Sequence, residues 1–207
     1  MSGSARTSVA VLLSGRGSNL ASLIAACDDA DYPAHIVLVL SNRADAAGLD
    51  LARNAGIPAL AIEHRTFGGN RETHEQAIDA ELRAAGVECV CLAGYMRRLT
   101  PFLVEAWHGR MLNIHPSLLP AFPGLHTHER ALQAGVKLHG CTVHLVTEAV
   151  DEGPIIGQAA VAVAPDDTPE TLAARVLRQE HLLYPLALRR HLTNAAPVAS
   201  EATLIAV

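Results

Sequence analysis

Near the middle of the 207-residue chain runs Leu112-Asn113-Ile114-His115-Pro116-Ser117-Leu118-Leu119-Pro120. Residues 110–115 read as a short buried strand, which Pro116 ends because proline cannot continue regular pairing. Side chains two apart on a strand point the same way, so Asn113 and His115 are expected to project together from its end. The neutral amide can donate to a developing oxyanion, and the imidazole can carry a proton near neutral pH. Alone, the pair also reads as a core histidine with a structural partner and an asparagine that caps a turn.

Two further stretches could do chemistry. Ser14-Gly15-Arg16-Gly17-Ser18-Asn19 lies between an apolar run and a helical one. Glycines let backbone approach an anion closely, and the N–H groups of a following helix N-terminus can meet it, with Ser18 and Asn19 as short donors and caps. The spacing is neither a Walker A nor a complete G-x-G-x-x-G, so a capped turn without a ligand fits as well. Asp151-Glu152-Gly153-Pro154 supplies a carboxylate in a turn-rich connection, where aspartate is also common for backbone reasons. The eleven histidines include His126-x-His128, His139 and His144, but no H-E-x-x-H or C-x-x-C accompanies them, and no metal site is expected. The absence of G-x-S-x-G speaks against a serine hydrolase.

The elements that must position these groups alternate. Strands are expected at 8–13, 35–40, 57–62 and 87–93, with helices at 20–27, 44–54 and 71–84 between them. That alternation argues for a Rossmann-like α/β fold with a mostly parallel central sheet and helices on both faces. Ligands on such sheets bind beyond the carboxyl ends of the strands, where the Gly-rich turn and Gly94-Tyr95-Met96-Arg97-Arg98-Leu99 both fall. After a loop at 122–125 come a helix at 126–134 and strands at 140–146 and 155–163, read as a hairpin giving the sheet an antiparallel C-terminal edge. A last helix starts with Thr168 as cap and Pro169 in its first turn, and runs to about Arg190, with Pro185 expected to kink it or end its regular part. No repeat or linker interrupts the chain, so a single domain over 1–207 is expected. Residues 1–7 and 194–207 are peripheral to it, the tail holding a short strand at 202–207.

Composition narrows the class. Half the residues are hydrophobic and only 3% aromatic, so the core must be aliphatic, as a parallel sheet buried on both faces requires. A net charge of −5 without a Lys/Arg block argues against nucleic acid as a partner. No apolar run reaches membrane-spanning length and the first residues lack a signal-peptide core, so a cytoplasmic protein that binds no membrane is expected. Cys27, Cys89, Cys91 and Cys141 form no framework and read as reduced thiols in or near the core.

Four runs in this order, Ser14-Gly15-x-Gly17-Ser18-Asn19, Ala93-Gly94-Tyr95-Met96-Arg97, Asn113 to Pro120, and Asp151-x-Gly153-Pro154, resemble those of the folate-dependent formyltransferases. The resemblance extends over about residues 8–190 and is closest to members that formylate 5-phosphoribosylglycinamide in purine synthesis. It implies the formyltransferase fold, 10-formyltetrahydrofolate as one-carbon donor and co-substrate, and no metal. It also implies a substrate carrying a ribose phosphate and a primary amine, handled by a monomer or homodimer. It makes Asn113, His115 and Asp151 the catalytic set, with Gly17, Ser18 and Asn19 holding the phosphate and Glu180 near the ribose. Arg71, Met96, Arg97, Arg98 and Leu99, with Asn113, would line the folate site. Arg98 stands where relatives often carry an apolar residue, so its backbone rather than its side chain is expected to touch folate.

The residue types suit that chemistry. An amine attacking a formyl carbon makes the carbonyl oxygen negative; Asn113 and a protonated His115 can both donate to it. A proton must travel from the amine to the departing folate nitrogen, with His115 as shuttle, and a carboxylate at Asp151 would favour the imidazolium. Three competing readings differ in what they require. Methionyl-tRNA formyltransferases carry an added RNA-binding domain, for which the length and charge leave no room. Formyltetrahydrofolate hydrolases usually carry an N-terminal regulatory domain and need no phosphate seat. A nucleotide-sensing module without turnover would not require Asn113, His115 and Asp151 together.

Overall fold

Apolar runs that cannot face water on either side become the strands. The computed structural model describes residues 6–194. Its fold divides between Asn113 and Ile114 into two compact units. In the first, strands β1 (Thr7–Leu13), β2 (Ala34–Ser41), β3 (Ala59–Ala61), β4 (Cys89–Leu92) and the first three residues of β5 (Met111–His115) lie in the order β3-β2-β1-β4-β5, every neighbour parallel. Helices α1 (Ser18–Cys27), α2 (Ala47–Asn54), α3 (Arg71–Ala84) and α4 (Pro101–Ala106) connect them. In the second, β6 (Leu138–Leu145) and β7 (Ile155–Ala162) pair antiparallel, with α5 (Thr127–Gln133) and α6 (Pro169–Thr193). The sheet class is therefore the expected one: mixed, mostly parallel, with antiparallel C-terminal strands. The expected strand at 202–207 lies outside the described residues.

The core follows the composition. Val9 to Leu13 and Val90 to Leu92 are buried on successive positions, so both faces of these strands are covered. Leu20, Leu23, Leu49, Ile78 and Leu82 close over them from the helices. Cys89, Cys91 and Cys141 are buried and Cys27 is half-buried, all four as free thiols. In the second unit α6 packs on β6 and β7, burying Leu172, Val176, Tyr184 and Leu188.

Several boundaries differ from expectation, each for a local reason. The α1 N-cap is Gly17 in the left-handed region (φ 78°), with no side-chain cap, so neither Ser18 nor Asn19 caps. At α3 the expected start is met, and the Asn70 side chain accepts the Thr73 N–H at 3.1 Å. The six-residue α4 was not anticipated, although Thr100-Pro101 repeats the start signal of Thr168-Pro169; six residues show too little periodicity to be read. A 3-10 turn at His64–Phe67 was likewise not anticipated. Pro185 does not end α6, which runs eight residues past it to Thr193. That helix has a reciprocal Thr168–Thr171 capping box, and its packing on two strands outweighs one missing N–H.

One buried polar contact ties α3 to α4. Trp107, just past α4 and 2% exposed, donates its Nε1–H to Asp79 Oδ1 at 2.9 Å, while Arg83 holds the other carboxylate oxygen at 2.7 Å. Asp79→Ala should therefore destabilise the protein by about 1–3 kcal/mol, because a buried indole N–H loses its acceptor. Urea denaturation measures this, and adding Trp107→Phe should change the loss by an amount other than the sum of the two single effects. Strict additivity would show that the pair is not coupled.

Candidate active site

In the first unit, the site is built at the carboxyl ends of β1, β2 and β4. Ser14 leaves β1 with its N–H on the Gly94 carbonyl at 3.1 Å, and its hydroxyl accepts the Met96 N–H at 2.8 Å. The same hydroxyl donates to Asn42 Oδ1 at 2.5 Å. Next comes the Gly-rich turn. A Cβ on Gly17 would stand 2.8 Å from Gly48 Cα, and Gly48 donates its N–H to the Gly15 carbonyl at 3.0 Å. The start of α2 thus presses on the turn, which only a glycine with positive φ can accept. No carboxylate stands in the first turn of α1, so that helix N-terminus is electrostatically suited to an anion. Ser14, Gly15, Asn42, Arg43, His64, Gly94, Met96 and Arg97 line a cavity of about 310 Å³.

In the second unit, the site centres on His115, whose side chain is 7% exposed. Its Nε2 lies 3.1 Å from the Phe122 carbonyl and its Nδ1 3.5 Å from Asp151 Oδ2, so both ring nitrogens face oxygen. Asp151 sits in the left-handed region (φ 60°), and its Oδ2 also accepts the Gly124 N–H at 2.8 Å. The loop reaches this shape because Gly153 lies where a Cβ would come 1.8 Å from the Leu145 carbonyl oxygen. That contact accounts for the glycine two residues after the aspartate.

The turn after His115 is tied down by groups the sequence did not single out. Thr142 Oγ1 donates to the Ser117 carbonyl at 2.7 Å and accepts the Leu119 N–H at 3.0 Å. Gln158 Nε2 reaches both Thr142 Oγ1 and the Leu119 carbonyl, at 3.0 and 2.8 Å. His144 approaches the carboxylate from the other side, its Nε2 3.8 Å from Asp151 Oδ1. Its Nδ1 is 2.9 Å from the Leu145 carbonyl, and burial holds its pKa below the ordinary value. His139 and His128 face each other, Nε2 to Nδ1, at 3.2 Å. Burial lowers both, and His139 is pushed from the ordinary 6.5 down to about 4.

The sequence-predicted residues fall as follows. His115 and Asp151 come together; Asn113, half-buried, precedes His115 by two positions on β5. Gly17 and Asn19 are buried, and Ser18 is half-buried at the start of α1. Met96 and Arg97 line the cavity of the first unit, with Met96 exposed and Arg97 half-buried. Leu99 is half-buried, Arg98 exposed, and Arg71 exposed at the first position of α3. Glu180 is buried on α6 in the second unit. Among the described residues, no group of three His, Cys, Asp or Glu side chains has the geometry to hold a metal ion, and no helix is long and apolar enough to cross a membrane.

Comparison with known proteins gives concordant results. A family profile described as formyl transferase matches residues 7–188. The trifunctional purine biosynthetic protein adenosine-3 of Drosophila melanogaster is 48% identical over 198 residues, which cover 95% of this chain. The chain spans only 15% of that protein's length. The phosphoribosylglycinamide formyltransferase of Haemophilus influenzae is 46% identical over 181 residues, covering 87% of this chain and 85% of its own. The crystal structure of phosphoribosylglycinamide formyltransferase from Brucella melitensis superposes with a TM-score of 0.87 at 53% identity, covering 92% of this chain and 98% of that one.

Two expectations follow from the geometry. The depressed histidines take up protons in the unfolded chain before the folded one, so their contribution to stability is complete above about pH 6.5 and is lost as pH falls toward 4. The thermal midpoint should fall across that interval, and His139→Gln should fall less steeply; parallel curves would contradict the assignment. Gly153→Ala should force the Asp151 loop off the Leu145 carbonyl and lower both the thermal midpoint and turnover, the latter about tenfold or more. Unchanged turnover would show that the loop tolerates the shift.

Proposed function

Because the chain belongs to the formyl transferase family, we propose that it transfers the formyl group of 10-formyltetrahydrofolate to the amine of 5-phosphoribosylglycinamide in purine synthesis. The observation that carries this reading is the close approach of His115 and Asp151 at the end of the strand that also bears Asn113. The identity to relatives named for this reaction supports it. The family match runs across Asn113 without a break, which supports one formyltransferase domain acting as a whole. The protein works in the cytoplasm on small molecules, as a monomer or homodimer.

The substrate amine attacks the formyl carbon, and the carbonyl oxygen becomes an oxyanion. Asn113 donates an amide N–H to that oxygen, and the His115 imidazolium supplies a second donor. The C–N10 bond then breaks, the electron pair returns to N10 of the folate, and the proton lost by the amine reaches N10 through His115. Asp151 orients the imidazole and offsets its charge. Gly17, Ser18 and Asn19, with the N-terminus of α1, hold the phosphate, and Glu180 takes the ribose. Met96 to Leu99 line the folate site by backbone and side chain, Arg98 by backbone. Arg71 pairs with the carboxylates of the folate glutamate, and Arg97 lies nearer the pterin end of the cleft.

Purified protein with both substrates, followed at the folate absorbance, tests the reading. Turnover that depends on the ribonucleotide is expected. Folate hydrolysis in its absence would instead indicate the hydrolase, and no turnover would indicate a binding module. Asn113→Ala and His115→Ala should each lower kcat about a hundredfold or more with smaller changes in KM. Asn19→Ala should weaken the ribonucleotide more than the folate.

A further inference from the structure

The segment Met96–Leu99 has no regular structure, yet it is fixed at both ends by side chains remote in sequence. At one end stands Ser14. Its N–H holds the Gly94 carbonyl and its hydroxyl holds the Met96 N–H, at 3.1 and 2.8 Å. The hydroxyl can accept from Met96 because its own proton is directed at Asn42 Oδ1. Asn42 is in turn held by the 3-10 turn: His64 Nδ1 lies 2.9 Å from its carbonyl oxygen and 3.2 Å from its Nδ2, so either tautomer finds a partner on it.

At the other end stands Glu75, a carboxylate on α3 that is 2% exposed. It accepts the Thr100 N–H at 2.9 and 3.1 Å through its two oxygens, and the Thr100 hydroxyl through Oε2. Thr100 is the N-cap of α4, so this carboxylate both ends the segment and starts the helix. A buried carboxylate carries a desolvation cost, met here by the backbone N–H groups of Thr100 and Leu103 and by the Thr100 hydroxyl; burial raises its pKa, and these bonds and the Arg71 charge pull it back. Thr100 makes no side-chain cap of its own, so the carboxylate serves the start of α4 together with the end of the segment.

We infer that Ser14 and Glu75 are positioning residues that hold Met96–Leu99 in the shape that receives the folate, with Asn42 and His64 fixing the orientation of Ser14. The inference rests on the proposed function for the identity of the ligand. Neither side chain reaches the reacting atoms; each acts through the backbone of the segment. Preorganisation of this kind lowers the ordering that binding would otherwise require, so its loss appears in the folate KM rather than in kcat.

The test uses Ser14→Ala and Glu75→Ala, the conservative variants Ser14→Thr and Glu75→Gln, and Asp79→Ala as a variant that loosens α3 from the end of α4 without touching the segment. With saturating 5-phosphoribosylglycinamide, each alanine variant should raise the KM for 10-formyltetrahydrofolate about tenfold, the loss of one ordinary hydrogen bond. The ribonucleotide KM should move much less, kcat should be nearly retained, and the conservative variants should recover most of the loss. Hydrogen exchange in the protein without substrates should show faster exchange at Met96 and Thr100 in the alanine variants but not in Asp79→Ala. Where an alanine variant fails to fold, its conservative partner should show a smaller shift of the same kind. An unchanged folate KM, an equal rise in both KM values, or an equal effect of Asp79→Ala overturns the inference. Absence of turnover in the unsubstituted protein overturns the functional reading instead, and the exchange data then decide alone whether the two anchors fix the segment.

Discussion

Strands covered on both faces can carry polar side chains only where they end. This constraint governs the first unit, where Val9 to Leu13 and Val90 to Leu92 leave no lateral position for chemistry. Ser14, Asn42 and Gly94 each follow directly on the end of a strand or one residue beyond it, and their backbone groups must find partners once the ladder stops. Ser14 and Gly94 pair with each other, and the Asn42 carbonyl is met by His64. The same rule places His115 as the last residue of β5, with proline next in the chain. In each unit the polar groups stand where a strand ends.

The second unit solves a different problem, that of keeping imidazoles in a dry environment. His139 and His144 lie on β6, both nearly inaccessible, and burial opposes charging either of them. His115 and His144 each face an oxygen of Asp151 and a backbone carbonyl, whereas His139 faces His128. A group of histidines at similar depth thus meets different chemical surroundings, decided by which oxygens stand within reach. Asp151 supplies one of them because a close glycine–carbonyl contact bends its loop inward.

The order and class of the elements were legible because strand and helix periodicities are local properties. Four of the first five strands were read with their cores correctly placed. β3 proved shorter than the 57–62 expected, and α4 fell below the length at which a period shows. Of the two outcomes expected at Pro185, an end to the helix did not occur, since α6 runs on to Thr193, and capping rules failed at Ser18 and Asn19, where a left-handed glycine took the cap. Of the expected catalytic residues, Asn113 and His115 could be read from a two-residue spacing. Asp151 required the family resemblance, since nothing local says which side chain a turn aspartate meets. The supporting contacts were illegible for a simple reason: Met96 finds Ser14 across 82 positions, Thr100 finds Glu75 across 25, and Leu119 finds Thr142 across 23. No pattern within either segment names its partner.

The contact between Gly17 and Gly48 has a consequence for how this chain can vary. The nearest atoms to a Cβ at Gly17 are backbone, whereas those to a Cβ at Gly48 belong to the Leu13 side chain. A methyl group at position 17 meets the main chain of position 48, and one at 48 meets Leu13, so shrinking a neighbour can relieve only the second clash. The joint is therefore closed to gradual change at position 17. A variant there must alter the path of α2 itself, and a helix moves as a body or not at all. Two residues without side chains thus form a rigid seam, and insertions or deletions between them, across positions 18–47, are confined to what returns α2 to the same place.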